Sequence, residues 1–266
     1  MKMYDDSRRD STQVLKRAIG WLLLPAVLFF ACRSKEPKQQ TNVSDWVKIG
    51  PGGGGATFLP TFSFESEEEF LVRCDMTGSY LTKDGGESYS QVNFANGANS
   101  FAFDPHDTRT IYIGSSSLNR STDGGKTWEQ IFPVKEEILS ERYQGDHASY
   151  SFKTVSTSLY NSESAHISRI RVDAIEKDVL YFSMGKAFYY SKDRGKTFNR
   201  KDLQHAVDFI YTNPANLKDA VLIFTANSIY TFNKSSNTIV ENALPPAMVP
   251  AFSFTGGSVK NSDDVV

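Results

Sequence analysis

Cysteine is nearly absent: Cys32 and Cys74 are the only two in 266 residues, too few for a disulfide framework and without metal-ligand spacing. Histidine is also scarce. The four, at 106, 147, 166 and 205, lack an i,i+4 or CxxC-like companion, so neither a metal site nor a cofactor is expected. Charge of one sign is missing as well. The net charge is −2, and no lysine- or arginine-rich run appears beyond the first twenty residues, which argues against nucleic acid as a partner. The apolar run "AIGWLLLPAVLFFA" at 18–31 has 14 residues, short of the about 20 that a membrane-spanning helix needs.

That run follows Lys16 and Arg17 and reads as the apolar region of a signal peptide. It ends in "LFFAC", with small Ala31 before Cys32, and resembles the lipobox of bacterial lipoproteins, whose cysteine is lipidated and becomes the mature N-terminus. The resemblance implies a signal peptide at 1–32, lipidation at Cys32 and a membrane partner reached through that lipid. It also implies a place in the bacterial cell envelope, at the outer membrane or cell surface, or secretion. An uncleaved signal anchor with an incidental cysteine is the other reading. The polar segment 33–44 reads as a flexible tether.

What the chain has in quantity is aromatic residues, 13% of the total with 19 Phe and 12 Tyr. They fall in short alternating runs with β-branched neighbours, such as "TIYIG", "VLYFSM" and "NSIYTF". Runs of that length and period predict half-buried strands and an all-β fold.

Three octets align without gaps: "TKDGGESY" at 82–89, "STDGGKTW" at 121–128 and "SKDRGKTF" at 191–198. Each places Asp two positions after a hydroxyl residue, Gly two further, a second hydroxyl two further, and an aromatic directly after. In such a turn the carboxylate accepts backbone N–H bonds and glycine supplies a positive φ. Asp84, Asp123 and Asp193 are therefore read as structural. The pattern matches the Asp-box, or BNR repeat, of sialidase-like and sortilin-like β-propellers, and this resemblance implies a propeller of four-stranded blades. Asp84 and Asp123 lie 39 residues apart, which suits one blade of roughly 40–45 residues. The next interval is 70, leaving an insertion at 133–166, and a further 40 residues reach Asn233 in a decayed copy. Four blades are expected within 45–256, beginning near Phe58, Ser100, Ile167 and Val207, with a tail at 257–266. Four is few for a closed ring, so an incomplete propeller is expected, the N-terminal part of a longer one.

In a blade with strands A to D from the axis outward, the Asp boxes are C–D turns. The B–C turns and the D-to-next-A connections share the opposite, ligand-facing rim. Asp75, at the end of strand B in "VRCDMTGSYL", falls on that rim; counting back from the Asp boxes, its counterparts are Gly114 and Met184. A carboxylate present in one blade only is a candidate for chemistry, and a solvated loop aspartate is the alternative. The same rim receives the glycine run with Gly53, Gly54 and Gly55, where backbone amides could approach a ligand. It also receives the insertion, with Tyr143, Asp146, His147, Tyr150, Tyr160, Glu163 and His166. Rings that stack on pyranose faces and carboxylates that bond hydroxyls make Tyr143, Asp146 and His147 candidate substrate contacts. A mobile loop or a subunit contact is the competing reading.

Residues 46–89, with Trp46, Gly52 to Gly55, Asp75, Gly78 and Tyr80, resemble the opening of glycoside hydrolase family 74, the xyloglucan-active glucanases. The resemblance implies that Asp75 is the general base of an inverting pair and that the partner acid belongs to a second propeller. Inverting hydrolysis needs two carboxylates about 6.5–9.5 Å apart. The expectation is a surface-anchored, glycoside hydrolase-like propeller that acts on or binds plant-type β-glucan and is inactive alone. The alternative is a non-catalytic sortilin-like propeller that binds carbohydrate or protein. Thr77 stands where that family usually has glycine, and the Arg-Ile-Pro segment typical of sialidases is absent.

Overall fold

The computed structural model describes residues 50–51, 55–75, 78–92, 97–144, 149–161, 166–212 and 219–245. These residues form an all-β array of four four-stranded antiparallel sheets and one two-stranded sheet, with a single 3-10 turn at Lys135–Glu137. The first blade holds β1 (Thr57–Phe62), β2 (Phe70–Cys74), β3 (Gly78–Thr82) and β4 (Ser90–Val92). The second holds β5 (Ser100–Phe103), β6 (Ile111–Gly114), β7 (Leu118–Ser121) and β8 (Glu129–Phe132). A hairpin, β9 (Ile138–Gln144) and β10 (Ser149–Thr154), is inserted next. The third blade is β11 (Ile167–Val172), β12 (Leu180–Met184), β13 (Ala187–Ser191) and β14 (Asn199–Asp202); the fourth is β15 (Val207–Tyr211), β16 (Ala220–Thr225), β17 (Ser228–Asn233) and β18 (Thr238–Ala243). Each blade is a simple meander.

Blades pack face to face through the apolar sides of their strands. Leu71, Leu81, Phe101 and Ile113 fill the first interface, and Tyr181, Phe188, Val221 and Phe232 fill the third. In the middle of the array β6, β12 and β13 are buried on both faces, which is why "IYIG" and "LYFSM" read as continuous apolar runs there. In β16 and β17 burial alternates instead. The innermost strands pack in the order β1, β5, β11, β15, and no comparable contact returns from β15 to β1 among the described residues. The four blades thus form an open arc, an incomplete propeller.

The octets are the β3–β4, β7–β8 and β13–β14 turns. In the second blade Asp123 Oδ1 accepts from the amides of Lys126 (3.0 Å) and Thr127 (2.9 Å) and from Ser121 Oγ (2.8 Å). Its Oδ2 accepts from Thr127 Oγ1 at 2.6 Å, and Ser121 Oγ takes the Gly125 amide at 2.8 Å. Both hydroxyls of the motif are thereby used. Asp193 repeats the set with Ser191, Lys196 and Thr197. At Asp84 the Ser88 hydroxyl and amide, then Thr82, draw the carboxyl down to about 2.

Gly125 and Gly195 adopt φ of +85° and +82°, and a Cβ there would stand 2.7 Å from Leu81 Cδ2 and 2.6 Å from Ile131 Cδ1. Glycine is required twice over, by the turn and by the preceding blade packed against it. At the position before it, Gly124 (φ +75°) is replaced in the third blade by Arg194, which keeps φ at +63°. A left-handed residue with a side chain costs about 1–2 kcal/mol. Arg194 offsets this by reaching the second blade, where it pairs with Asp107 at 2.5 Å.

One backbone bond recurs in every blade and fixes the alignment. The amides of Gly85, Gly124, Arg194 and Lys234 donate to the carbonyls of Glu68, Arg109, Asp178 and Asp219, at 2.8–2.9 Å. Asn233 therefore occupies the Asp-box position in the fourth blade, where its Oδ1 accepts from the Ser236 amide and hydroxyl, both at 2.8 Å.

Candidate functional site

The turn between β2 and β3 begins at Asp75, which is exposed. Its amide donates to the Ala56 carbonyl at 3.2 Å, and the Ala56 amide donates to Asp75 Oδ1 at 2.9 Å. The turn is thereby laced to the segment leading into the innermost strand. Gly55 (φ +94°) makes this possible, since a Cβ there would sit 2.2 Å from Asp75 Oδ1. Of the glycine run, Gly55 thus serves the carboxylate's placement. Gly53 and Gly54 lie outside the described residues, as do Asp146, His147, Glu163 and Cys32.

The register expected for Asp75 is corrected by the strand ladders. Phe70 pairs with Thr82, Ile111 with Ser121 and Leu180 with Ser191, so the three B–C hairpins enclose different numbers of residues. Counting back through the turns from the Asp boxes therefore slips. Counting forward along strand B puts Ser116, Gly185 and Ala226 at the position of Asp75, in place of Gly114 and Met184. The carboxylate is still found in the first blade only.

The insertion is a docked hairpin. Ser116 Oγ donates to the Tyr150 carbonyl, Asn161 Nδ2 to the Met184 carbonyl at 3.3 Å, and Tyr189 OH to the Leu159 carbonyl at 2.8 Å. These ties seat it on the B–C rim of the second and third blades. Tyr160, expected on the rim, is only 5% exposed and packs on Phe132 and Phe152 in the core. Its ring is drawn in because Phe132 leaves the second blade directly beneath it. Tyr143 does face solvent, at 61% exposure, and stands edge to face with Tyr150, centroids 6.5 Å apart. Tyr150 OH donates to Glu141, and desolvation followed by that carboxylate pushes its hydroxyl up to about 12. No hydrogen bond or ion pair joins Asp75 to Tyr143 among the described residues. Asp75 is tied to the first blade, and Tyr143 to the inserted hairpin.

Sequence reasoning placed His166 on this rim and missed Arg73 and Asn99. Arg73, near the end of β2, directs Nη1 at Asn99 Oδ1 (3.5 Å), just ahead of β5. His166, just ahead of β11, titrates below its usual value through desolvation and then the charge of Arg73. No single stretch of sequence signals the missed pair, because Arg73 and Asn99 come from different blades.

The BNR/Asp-box repeat family matches residues 120–130. The turns are Asp boxes. A xyloglucanase from a Paenibacillus species is 24% identical over 217 residues, covering 73% of this chain and 19% of its own length. The chain thus spans about a fifth of that relative's length. Among solved structures, the GH74 xyloglucanase from Xanthomonas campestris has a TM-score of 0.45 at 14% identity, covering 66% of this chain and 29% of that one. YCF48 from Cyanidioschyzon merolae has 0.37 at 13% identity, covering 72% of each chain.

Proposed function

We propose that the protein is a glycan-binding propeller of the glycoside hydrolase type, acting on β-glucan, with Asp75 as the base of a two-carboxylate site. The observation that supports this most directly is the position of Asp75, an exposed carboxylate held on the rim by the Ala56 amide at 2.9 Å. A general base must be fixed in place and still reachable by the water it activates. Asp75 meets both conditions. The acid that protonates the leaving oxygen is supplied by a part of the protein outside this chain, so the chain alone binds without cleaving. The proposal includes a lipid at Cys32 and a place in the bacterial envelope, which the intact mass of the mature N-terminus reads directly.

The test is binding and hydrolysis of a β-glucan panel, xyloglucan included, by the wild-type chain and by Asp75→Asn. Binding without cleavage, weakened several-fold in the variant, is the expected result. Cleavage abolished by Asp75→Asn would place the acid within this chain. Failure to bind any member of the panel would refute the proposal.

A further inference from the structure

Arg73 carries a charge that the described residues do not balance. No carboxylate forms an ion pair with it among those residues, and its one hydrogen bond runs to a neutral amide at 3.5 Å. Its Nε is buried without a partner, and so is Nδ2 of Asn99 beside it. Leaving such donors unmade costs about 1–3 kcal/mol each, more for a charged group, and each one calls for an explanation. Neither group belongs to the ties that hold the blades together.

Two further features surround the guanidinium. A Cβ on Gly97 would lie 3.5 Å from Arg73 Nη2 and 3.6 Å from Nε, so Gly97 lies directly against that edge of the fork. Gly97 itself is exposed. On the neighbouring strand Phe58 is the ladder partner of Arg73, which puts the two side chains on one face of the sheet. Phe58 is 47% exposed, and Leu59 beside it is held at φ +56° where the ladder breaks before Thr61. Strained backbone next to an exposed ring on the axial strand is a pattern that accompanies binding sites.

A planar cation that no carboxylate pairs among the described residues selects a planar anion, and a carboxylate matches the fork through two parallel N–H···O bonds. The exposed phenyl ring beside it offers an apolar face on which the C–H side of a pyranose stacks. We propose that Arg73 and Asn99 form a carboxylate-binding subsite, flanked by Phe58, that takes a uronic acid residue of a glycan. This rests on the glycan-binding reading above and adds to it an acidic substituent, a uronic acid residue carried on the glycan backbone.

The experiment titrates the full chain with a glucuronate-bearing oligosaccharide, with its neutral counterpart of the same backbone, and with oligoglutamate. The charged sugar is expected to bind about tenfold more tightly than the neutral one. Arg73→Met removes that preference and Arg73→Lys restores part of it. Gly97→Leu, at an exposed site without a left-handed backbone, removes it while leaving the arginine in place. Phe58→Ala weakens both sugars. Equal binding of charged and neutral sugars, or a preference that survives both Arg73→Met and Gly97→Leu, overturns the subsite and leaves the glycan reading standing. Binding of neither sugar overturns both. Oligoglutamate bound more tightly than the acidic sugar overturns the glycan as occupant.

Discussion

Replacing Lys234 with methionine is expected to destabilise the fold by about 3–5 kcal/mol, the usual consequence of stranding a buried charge. Lys234 and Asp173 are each only 3% exposed. The ammonium of the fourth blade reaches back to the loop between β11 and β12 in the third, with Nζ 3.1 Å from Asp173 Oδ2 and 2.7 Å from Glu176 Oε1. Asp173 also accepts from the amides of Ile175 and Glu176, both at 2.9 Å, and from Tyr181 OH at 2.8 Å. Without the lysine, a dry carboxylate would keep its local donors and lose its counter-charge. Removing both ends, in Asp173→Asn with Lys234→Met, should recover most of the loss. Denaturant midpoints of the three variants check this. A double variant as unstable as the single one would show that the pair is not the cause.

The pH dependence carries a second, independent signature. Burial opposes ionisation of Asp173, but the amides of Glu176 and Ile175, Tyr181 OH and Lys234 outweigh it and hold the carboxyl below its ordinary value of 3.8. Its stabilisation is therefore present above that value and is lost as pH falls through the lower folded pKa. For Lys234 burial also opposes the charge, and Glu176 and Asp173 outweigh it, raising the ammonium above 10.5. That contribution is complete below 10.5 and is lost as pH rises through the higher folded value. Between these limits the wild type should show a plateau. In Lys234→Met the Asp173 carboxyl rises, so the stability gap from wild type should narrow as pH falls below about 4. A gap of constant size from pH 7 to pH 3 would contradict the assignment.

These ties show which parts of the molecule were legible in the sequence. The octets are local, and their hydroxyls, aspartates and glycines act within one turn, so four blades starting near Phe58, Ser100, Ile167 and Val207 could be counted from them. Partnerships across blades were not legible. Lys234 meets Asp173 sixty-one positions away, and Arg73 meets Asn99 because successive blades present the same ends of their strands to one axis. The register of Asp75 slipped for a related reason, since a hairpin can close one rung earlier without altering its Asp box. Its tie to Ala56 runs through a backbone amide, which no side-chain pattern announces. The two faces also divide the labour. The Asp boxes and the Arg194 and Lys234 ties fasten the blades on one face, leaving the other free to carry Asp75, Arg73 and the inserted hairpin.

Phe132→Ala is expected to cost about 3–5 kcal/mol and to loosen the hairpin more than the fourth blade. Phe132 is 3% exposed and ends β8, where the second blade gives way to the insertion. Its ring lies 5.1 Å from that of Phe182, 5.2 Å from Tyr189, 5.3 Å from Phe198 and 6.0 Å from Tyr160. The first three belong to the third blade and the last to the segment that returns from the hairpin. One side chain thus fastens two blades and the insertion. Amide exchange separates these roles, since the hairpin's seat should open at the Val155 amide, bonded to the Glu137 carbonyl at 2.9 Å, while β16 and β17 keep their protection. Tyr143→Ala, at an exposed ring, should change stability by no more than about 0.5 kcal/mol and leave exchange untouched. Equal loss of protection in the hairpin and the fourth blade would show that the array unfolds as one cooperative unit. Selective opening would show that the rim bearing Tyr143 is a separate element, docked through aromatic packing by the same rings that join the blades.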